Sequence, residues 1–486
     1  MIQGVIRRML PYKDIETVEH IDTPLSVEME NALELWHDMY IDKSPWLGKP
    51  GMSSLNLAAL ISSEIARQVT LEMKWNITGT AKDADGEILS NPRADYLKEE
   101  FAKCIAALRK KLEQGCAAGG MTIKPYPKDG HIYFDWGMDW TIYPIAFDDD
   151  GYLADVIFRD TYTQGKTYYT RLERHTVDGD NVKITQRAFK SNMADSIGTE
   201  IALTEVEQWK TLVPEATVTH SEGQMFGWFK VAAANNVDVD SPMGASVFSK
   251  AIKVIKQADI QYSRILWEFE GSELAIDVDP TVLYPKKDGK GGELPKLNQR
   301  LFRAVDTGAD GTYNVFSPPI RDNSLINGLN QLLMRIEDLC GLARGTISIA
   351  AAEARTATEL NILKQRTYTT IADNQAALET CLKDVIRAMD KYATLYNLAP
   401  EGEYDVSFEW DDSIITDTTQ QLGERIQLLN AGCMGKAEIR QWYLGETESQ
   451  AKKAITDITQ EQIEQMQGLE SVMPRVTPED ETPPEE

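Results

Sequence analysis

The chain has 486 residues, 42% hydrophobic and 26% charged, an ordinary composition for roughly two to four folded domains. A formal net charge of −26 argues against gripping nucleic acid through a broad basic face, though not against letting it slide past. The scattered cysteines Cys104, Cys116, Cys340, Cys381 and Cys433 form no C-x-x-C pair, which disfavours a disulfide framework or zinc site and suits a reducing compartment; the opening MIQGVIRRMLPYKD has too short an apolar run for a signal peptide, and no apolar stretch is long enough to span a membrane.

A first helix is expected over Leu25–Tyr40, before a loop around SPWLGKPG. Leu55–Met73 reads as an amphipathic helix, with Leu57, Leu60, Ile61, Ile65 and Val69 on one face and Ser53 or Ser54 placed to cap it. A linker with Asp83, Asp85 and Gly86 follows. Ala94–Gln114 is the next helix, with Tyr96, Phe101, Ile105, Leu108 and Leu112 inward, Lys110 and Lys111 suiting its negative end, and Gly115–Gly120 stopping it. From 121 to 190 the pattern becomes strand-like. The runs Trp140–Phe147, Tyr152–Tyr162, Thr167–His175 and Val182–Phe189 are separated by DDDG, TQGK and DGDN, the turn chemistry of an antiparallel meander. GQMFGWFKVAAANN adds a strand with an edge loop.

Asp240, Ser241, Pro242 and Gly244 introduce a long helix over Ala245–Leu274. Val247, Ala251, Val254, Ile255, Ala258, Ile265, Leu266 and Phe269 form its expected buried side; Lys250, Lys253, Lys256 and Arg264, with Gln257, lie on the other. Residues 276–320 interrupt the helices with glycine-rich DGKGGELPKLN and two short strands, Leu301–Val305 and Tyr313–Phe316. This module lies between two helices whose far ends point the same way, so it is expected to protrude at their tip.

DNSLINGLNQLLMRIEDLCGLARG is again helical, with Ile326, Leu329, Leu332, Leu333, Ile336 and Leu339 in one stripe until Gly341 and Gly345 weaken it. A second pattern restarts near Thr356 and runs to Leu395 on Ile371, Leu378, Leu382, Val385, Met389 and Tyr392. About 40 helical residues span roughly 60 Å. So long a rod needs neighbours along its side, and copies of the same chain are expected to supply them. Between the two patterns lies TISIAAAEARTATEL, small and weakly polar: an alanine-rich connection, or a loop pushed into a confined space. YDVSFEWDD, Tyr404–Asp412, is a lone alternating strand expected to join the meander. Thr418–Asn430 is helical, with Leu422, Ile426 and Leu429 inward and Gly432 as its stop. Lys436–Leu444 is a short helix, and the capping box Thr447–Gln450 opens another through about Met466.

Catalytic signals are sparse. Asp238 with Asp240, Asp277 with Asp279, and Asp411 with Asp412 are the nearest carboxylate pairs; turns and caps account for the first two, and the third is the best placed to hold a metal or act as an acid–base pair. His20, His37, His131, His175 and His220 lack metal-ligand spacing, and no nucleophile elbow, phosphate loop or dinucleotide fingerprint occurs. Arg159, Arg171, Arg174 and Arg187 on the aromatic meander suggest a nucleic-acid platform, but the aspartate turns and acidic total favour ordinary sheet packing. The lysine face of the third long helix is a solvated surface or, in a ring of such helices, one turned to neighbours or the lumen.

Four stretches carry a family resemblance in this order: DSPMGASVFSKAIKVIKQADIQYSRILWEFE (240–270), INGLNQLLMRIEDLCGLARGTIS leading into RTATEL (326–360), VSFEWDDSIITD (406–417) and LLNAGCMGKAEIRQWYLGETESQA (428–451). From about residue 50 to 465 the chain resembles the portal proteins of tailed double-stranded DNA bacteriophages with long non-contractile tails. The resemblance implies an α+β portal architecture. An N-terminal arm and wing would occupy 1–239, with the β meander at 121–190; the first stem helix 240–275; the clip 276–320; the second stem helix 321–345; the tunnel loop 346–357; a long kinked channel helix and a returning wing strand 358–416; a helical crown 417–468; and a disordered acidic tail 469–486.

It further implies a ring of roughly twelve copies at one capsid vertex, through which DNA is packaged and ejected. The implied partners are non-specifically held double-stranded DNA, major capsid or scaffolding protein, a separate terminase motor and a head–tail adaptor. No cofactor, metal, catalytic residue or membrane is implied. The implied DNA-facing residues of the tunnel loop are Thr346, Ile347, Ser348, Ile349, Ala350, Ala351, Ala352, Glu353, Ala354 and Arg355. Lys250, Lys253, Lys256 and Arg264 are the stem-channel candidates, and Lys286, Lys287, Lys290, Lys296 and Arg300 the docking candidates of the clip. The alternatives are another ring-forming minor head protein of a virion and a metal-dependent hydrolase using Asp411 and Asp412.

Overall fold

The computed structural model describes residues 12–21, 23–81, 89–278, 284–285, 292–293, 302–304, 313–349, 357–410 and 418–470. The chain divides into two units, Met1–Asp411 and Asp412–Glu486. The first begins with α1 (Tyr12–Glu19), α2 (Val27–Tyr40), α3 (Leu57–Thr70), the strand β1 (Met73–Gly79) and α4 (Pro92–Ala118). Ser26 caps α2: its Oγ accepts from the Met29 N–H at 3.3 Å and donates to Asp238 at 2.6 Å, the structural use expected of that aspartate. At α3 the expected serine cap is replaced by Asn56 in a left-handed conformation (φ 50°) with no side-chain cap bond, because the Ser54 hydroxyl is taken by Asp42 and by the Asn56 N–H. Leu57, Ile61, Ile65 and Val69 are buried as predicted, but Leu60 is 47% exposed. Helix α4 outruns its prediction at both ends, with Pro92 in its first turn, Asn91 as cap and Gly119 ending it at φ +94°. Gly119 and Gly244 lie back to back: a Cβ on either would run into the other's carbonyl oxygen, so both positions need glycine.

Strands β2 (Gly120–Lys128) and β3 (His131–Met138) form a hairpin through Asp129–Gly130, which the sequence reading did not separate from the meander. The predicted meander is present as β4 (Ile142–Phe147), β5 (Leu153–Gln164), β6 (Thr167–Asp178) and β7 (Asn181–Ser191), antiparallel in sequence order. Its edge adds β8 (Thr199–Ile201) and β9 (Glu215–Val218), both on β7. Strand β10 (Gly227–Lys230) pairs with β2, giving the order β10-β2-β3. The meander arginines are engaged: Arg171 with Asp160 and Glu173, Arg174 with Asp155, Arg187 with Glu19 and Glu200. Arg159 is also partnered. These residues serve sheet packing.

A 3₁₀ turn, Ser249–Ala251, leads into α5 (Ile252–Gly271), a later start than Ala245. The inserted region carries β11 (Ala275–Val278), β12 (Tyr284–Pro285), β13 (Gly292–Glu293), β14 (Phe302–Ala304) and β15 (Tyr313–Phe316), in a mixed sheet β14-β11-β15 and a small hairpin β12-β13. Then come α6 (Asp322–Cys340), α7 (Ala357–Leu395) and β16 (Tyr404–Trp410). Helix α7 is continuous over 39 residues, and all six predicted stripe residues, Ile371, Leu378, Leu382, Val385, Met389 and Tyr392, are buried. Five of them, however, pack into the main core with β2, β10, α3, α4 and β16 of the same chain, and Tyr392 joins Val182, Ile184, Val218 and Met225, so this stripe needs no second copy to cover it. Buried Arg93 at the start of α4 ties on its far end, donating to the Pro400 and Asp390 carbonyls and pairing with the Asp390 carboxylate at 3.3 Å.

Strand β16 alternates in burial as predicted but does not join the meander; it pairs antiparallel with β1, Met73 opposite Trp410 and Gly79 opposite Tyr404. Met73, the expected last residue of a helix, is instead the first residue of β1, so helical spacing alone conceals the partner strand.

The second unit contains α8 (Thr418–Asn430), α9 (Lys436–Leu444) and α10 (Glu448–Glu470). Gly432 follows α8 at φ +73°, and the capping box forms: the Thr447 N–H donates to Gln450 Oε1, and the Gln450 N–H to Thr447 Oγ1. Helix α10 continues past Met466, so the predicted tail begins two residues inside it; the rest, 471–486, lies outside the described residues. Ile426, expected inward, is 43% exposed within its own unit. Among the described residues no helix is long and apolar enough to cross a membrane.

Candidate functional site

Helices α5 and α6 pack antiparallel, and their shared end brackets the insertion. There Arg321 forks onto Glu268, Nη2 at 2.7 Å and Nε at 3.1 Å, holding that carboxyl below its usual range. Further along, Gln261 donates to the Leu325 carbonyl at 3.1 Å. On its other flank α5 is strapped by the loop before α3. Asp259 accepts the Trp46 indole N–H at 2.8 Å and the Leu55 N–H at 3.0 Å, and Ser263 Oγ accepts the Ser53 N–H at 2.8 Å. Burial pushes the Asp259 carboxyl up.

Lys250, Lys253, Lys256 and Arg264 are all exposed, opposite Ile255, Ala258 and Asp259. No carboxylate of the described residues pairs with any of them, unlike the meander arginines. Toward the tip the expected apolar side fails at Leu266, 36% exposed, and Phe269, 48%; Trp267 (66%) and Leu274 (51%) beside them are exposed as well, and on the facing helix Ile326 is 37% exposed. Ile265 alone stays buried there. The docking candidates Lys286, Lys287, Lys290, Lys296 and Arg300 lie outside the described residues.

The opposite end of the pair opens into the α6–α7 connection. Gly341 ends α6 at φ +72°, its N–H on the Glu337 carbonyl. The Ala343 N–H donates to Thr367 Oγ1 of α7 at 2.6 Å, and Asp338 receives Arg344 at 2.8 Å and Arg366 at 3.3 Å, so one carboxylate joins α6, the connection and α7. Glu337, fully buried, accepts backbone N–H groups of Gly345, Ile347 and Ser348 and the Ser348 hydroxyl.

Among the loop candidates, Thr346 and Ile347 are half-buried, Ser348 is turned inward onto Glu337, and Ile349 is 67% exposed. Ala350, Ala351, Ala352, Glu353, Ala354 and Arg355 lie outside the described residues, as do Asp411 and Asp412. Sequence reading missed Glu337, Asp338, Asn330 and Asp259. One signal for Glu337 was available: at helical spacing between Leu333 and Cys340 it sits on the apolar side of α6, where a carboxylate needs donors. Among the described residues no cluster of His, Cys, Asp or Glu is arranged to hold a metal ion.

Compared with known families, residues 52–468 match the family model described as phage portal protein, SPP1 Gp6-like. No curated protein matches the chain.

Proposed function

The chain belongs to the phage portal protein family, SPP1 Gp6-like, which places it in the virion at a capsid vertex, and from this we propose that copies of it close into a ring whose bore passes double-stranded DNA during packaging and ejection. The observation that carries this is the α5–α6 pair: open cations along α5, an insertion at one end, and a pinned connection to α7 at the other. In this assignment α5 and α6 are the stem helices, β11–β15 belong to the clip, residues 346–357 are the tunnel loop, and α7 stands behind the loop. The β sheets with α1–α4 and the returning β16 form the wing, and α8–α10 form the crown. The ring holds roughly twelve copies.

Electrostatics supports passage over capture. Each phosphate neutralised by Lys or Arg adds affinity that must be broken for the duplex to advance. With a net charge of −26 per copy, the bulk of the ring repels DNA, and the few cations of Lys250, Lys253, Lys256 and Arg264 centre it. The exposed Leu266, Trp267, Phe269 and Leu274 are covered by neighbouring copies. The clip docks a terminase motor and then a head–tail adaptor, while wing and crown meet capsid or scaffolding protein.

The test is a chain lacking 350–355, which keeps the pinned loop root. Its rings assemble and join procapsids, but heads do not fill with DNA. Normal filling would refute the assignment of this segment to the channel.

A further inference from the structure

One buried carboxylate directs the segment that follows α6. Glu337 Oε1 accepts the Ile347 N–H at 2.6 Å, the Ser348 N–H at 2.8 Å and the Gly345 N–H at 3.1 Å; Oε2 accepts Ser348 Oγ–H at 2.7 Å and the Gly345 N–H at 3.2 Å. No basic side chain of the described residues forms an ion pair with it. Peptide N–H groups converging on one point, with Gly345 at φ +96°, make an anion-binding concavity, and the chain fills it with its own side chain. Two helical turns toward the start of α6, Asn330 completes the seam. Its Oδ1 accepts the Ile349 N–H at 2.7 Å, and its Nδ2 donates to the Ile349 carbonyl at 3.2 Å. The backbone from Gly345 to Ile349 therefore runs back along α6, from Glu337 to Asn330.

We propose that Glu337 is the positioning residue of the DNA-contacting loop: its carboxylate locks the loop root, Gly345 to Ile349, onto α6. This rests on the assignment of 346–357 to the channel. Bonds from N–H groups to a charged acceptor are strong and directional, so the root holds one direction while the tip meets the moving duplex. Alanine at 337 removes the acceptor altogether, while glutamine keeps one neutral carbonyl oxygen and turns an amide NH2 toward the Gly345 N–H that Oε2 also accepts.

The experiment uses full-length rings carrying Glu337→Gln, Glu337→Ala or Asn330→Ala. Amide hydrogen exchange at Ile347 and Ser348 is expected to rise at least about tenfold in Glu337→Ala and by a smaller but measurable factor in Glu337→Gln, whose single neutral carbonyl is the weaker acceptor, with the Asn330 variant affecting chiefly Ile349. Sodium formate, able to occupy the emptied concavity, is expected to restore protection in Glu337→Ala rings but not in Glu337→Gln, where the amide blocks it. Heads built with either Glu337 variant fill more slowly than wild type. Unchanged protection at Ile347 and Ser348, or lost protection with wild-type filling, would overturn the proposal. Should Glu337→Ala rings not assemble, the Glu337→Gln exchange and filling data decide alone. Failure of the underlying channel assignment is separately visible, as normal filling by rings lacking 350–355.

Discussion

Glu173 sits at the centre of a buried charge cluster in the meander. Lys124 Nζ reaches it at 2.8 Å, Arg171 at 3.1 Å and His175 Nε2 at 2.8 Å, while Lys124 also lies over the Phe158 ring. Burial pushes the Glu173 carboxyl up, but Lys124, His175 and Arg171 outweigh it and hold it well below the usual range. Burial lowers His175, and since its Nε2–H donates to Glu173, its Nδ1 is a bare, buried lone pair, as a neutral imidazole requires. Both shifts destabilise the fold in acid. The unfolded chain protonates His175 below about pH 6.5 while the native state resists, so stability is full at neutral pH and declines below that value. Glu173 adds a second loss below about pH 4.5, where the unfolded carboxyl takes up a proton that the native one refuses. His37, also lowered by burial, contributes to the first limb. Thermal midpoints measured from pH 7.5 to 4 are therefore expected to fall in two stages, and His175→Gln to shrink the upper stage more than the lower, which Lys124 and Arg171 still sustain. Composition already weighed against the meander arginines being a nucleic-acid surface; which carboxylate each meets was not legible, because pairing is settled between strands.

At the scale of elements, the period and the turns were readable and the partners were not. The stripe of α7 was identified residue by residue, yet its length suggested neighbouring copies where the chain supplies its own sheets and helices. The strand β16 was found by its alternation, but its partner β1 lay hidden at the end of a predicted helix. Gly341 shows how a weak local signal becomes a constraint. Glycine there looked merely helix-weakening; in the fold it stands at φ +72°, and a Cβ would run into Thr370 Oγ1 of α7. Gly341→Ala is expected to cost about 1–3 kcal/mol, combining the left-handed penalty with crowding. Gly165→Ala, at φ +63° with open space around it, is expected to cost about 1–2 kcal/mol. Denaturant unfolding of the two variants separates crowding from backbone strain; equal losses would refute the contact between Gly341 and Thr370.

For the whole molecule, family membership supplies the ring that the long-helix argument could not secure. What the single chain leaves uncovered includes the insertion end of the α5–α6 pair, above all Trp267. Burying one such side chain between copies contributes roughly 1.5–3 kcal/mol, multiplied around a closed ring. Trp267→Glu is therefore expected to fold normally by circular dichroism yet sediment as single chains or open fragments. Intact closed rings from this variant would remove this end of α5 from the proposed interface.

The sequence by itself determined the long helices, the meander with its turns, most of the apolar stripes and, through four ordered stretches, the family. These are local properties, written in spacing and in the chemistry of glycine, aspartate and capping residues. Only the tertiary structure decided that β16 closes on β1, that α7 is covered by its own chain, that the meander arginines are paired while the α5 lysines are open, and that Glu337 holds the loop root. The physical reason is common to all four: periodicity states which way a side chain faces, whereas its partner is fixed by what distant parts of the chain bring to that face.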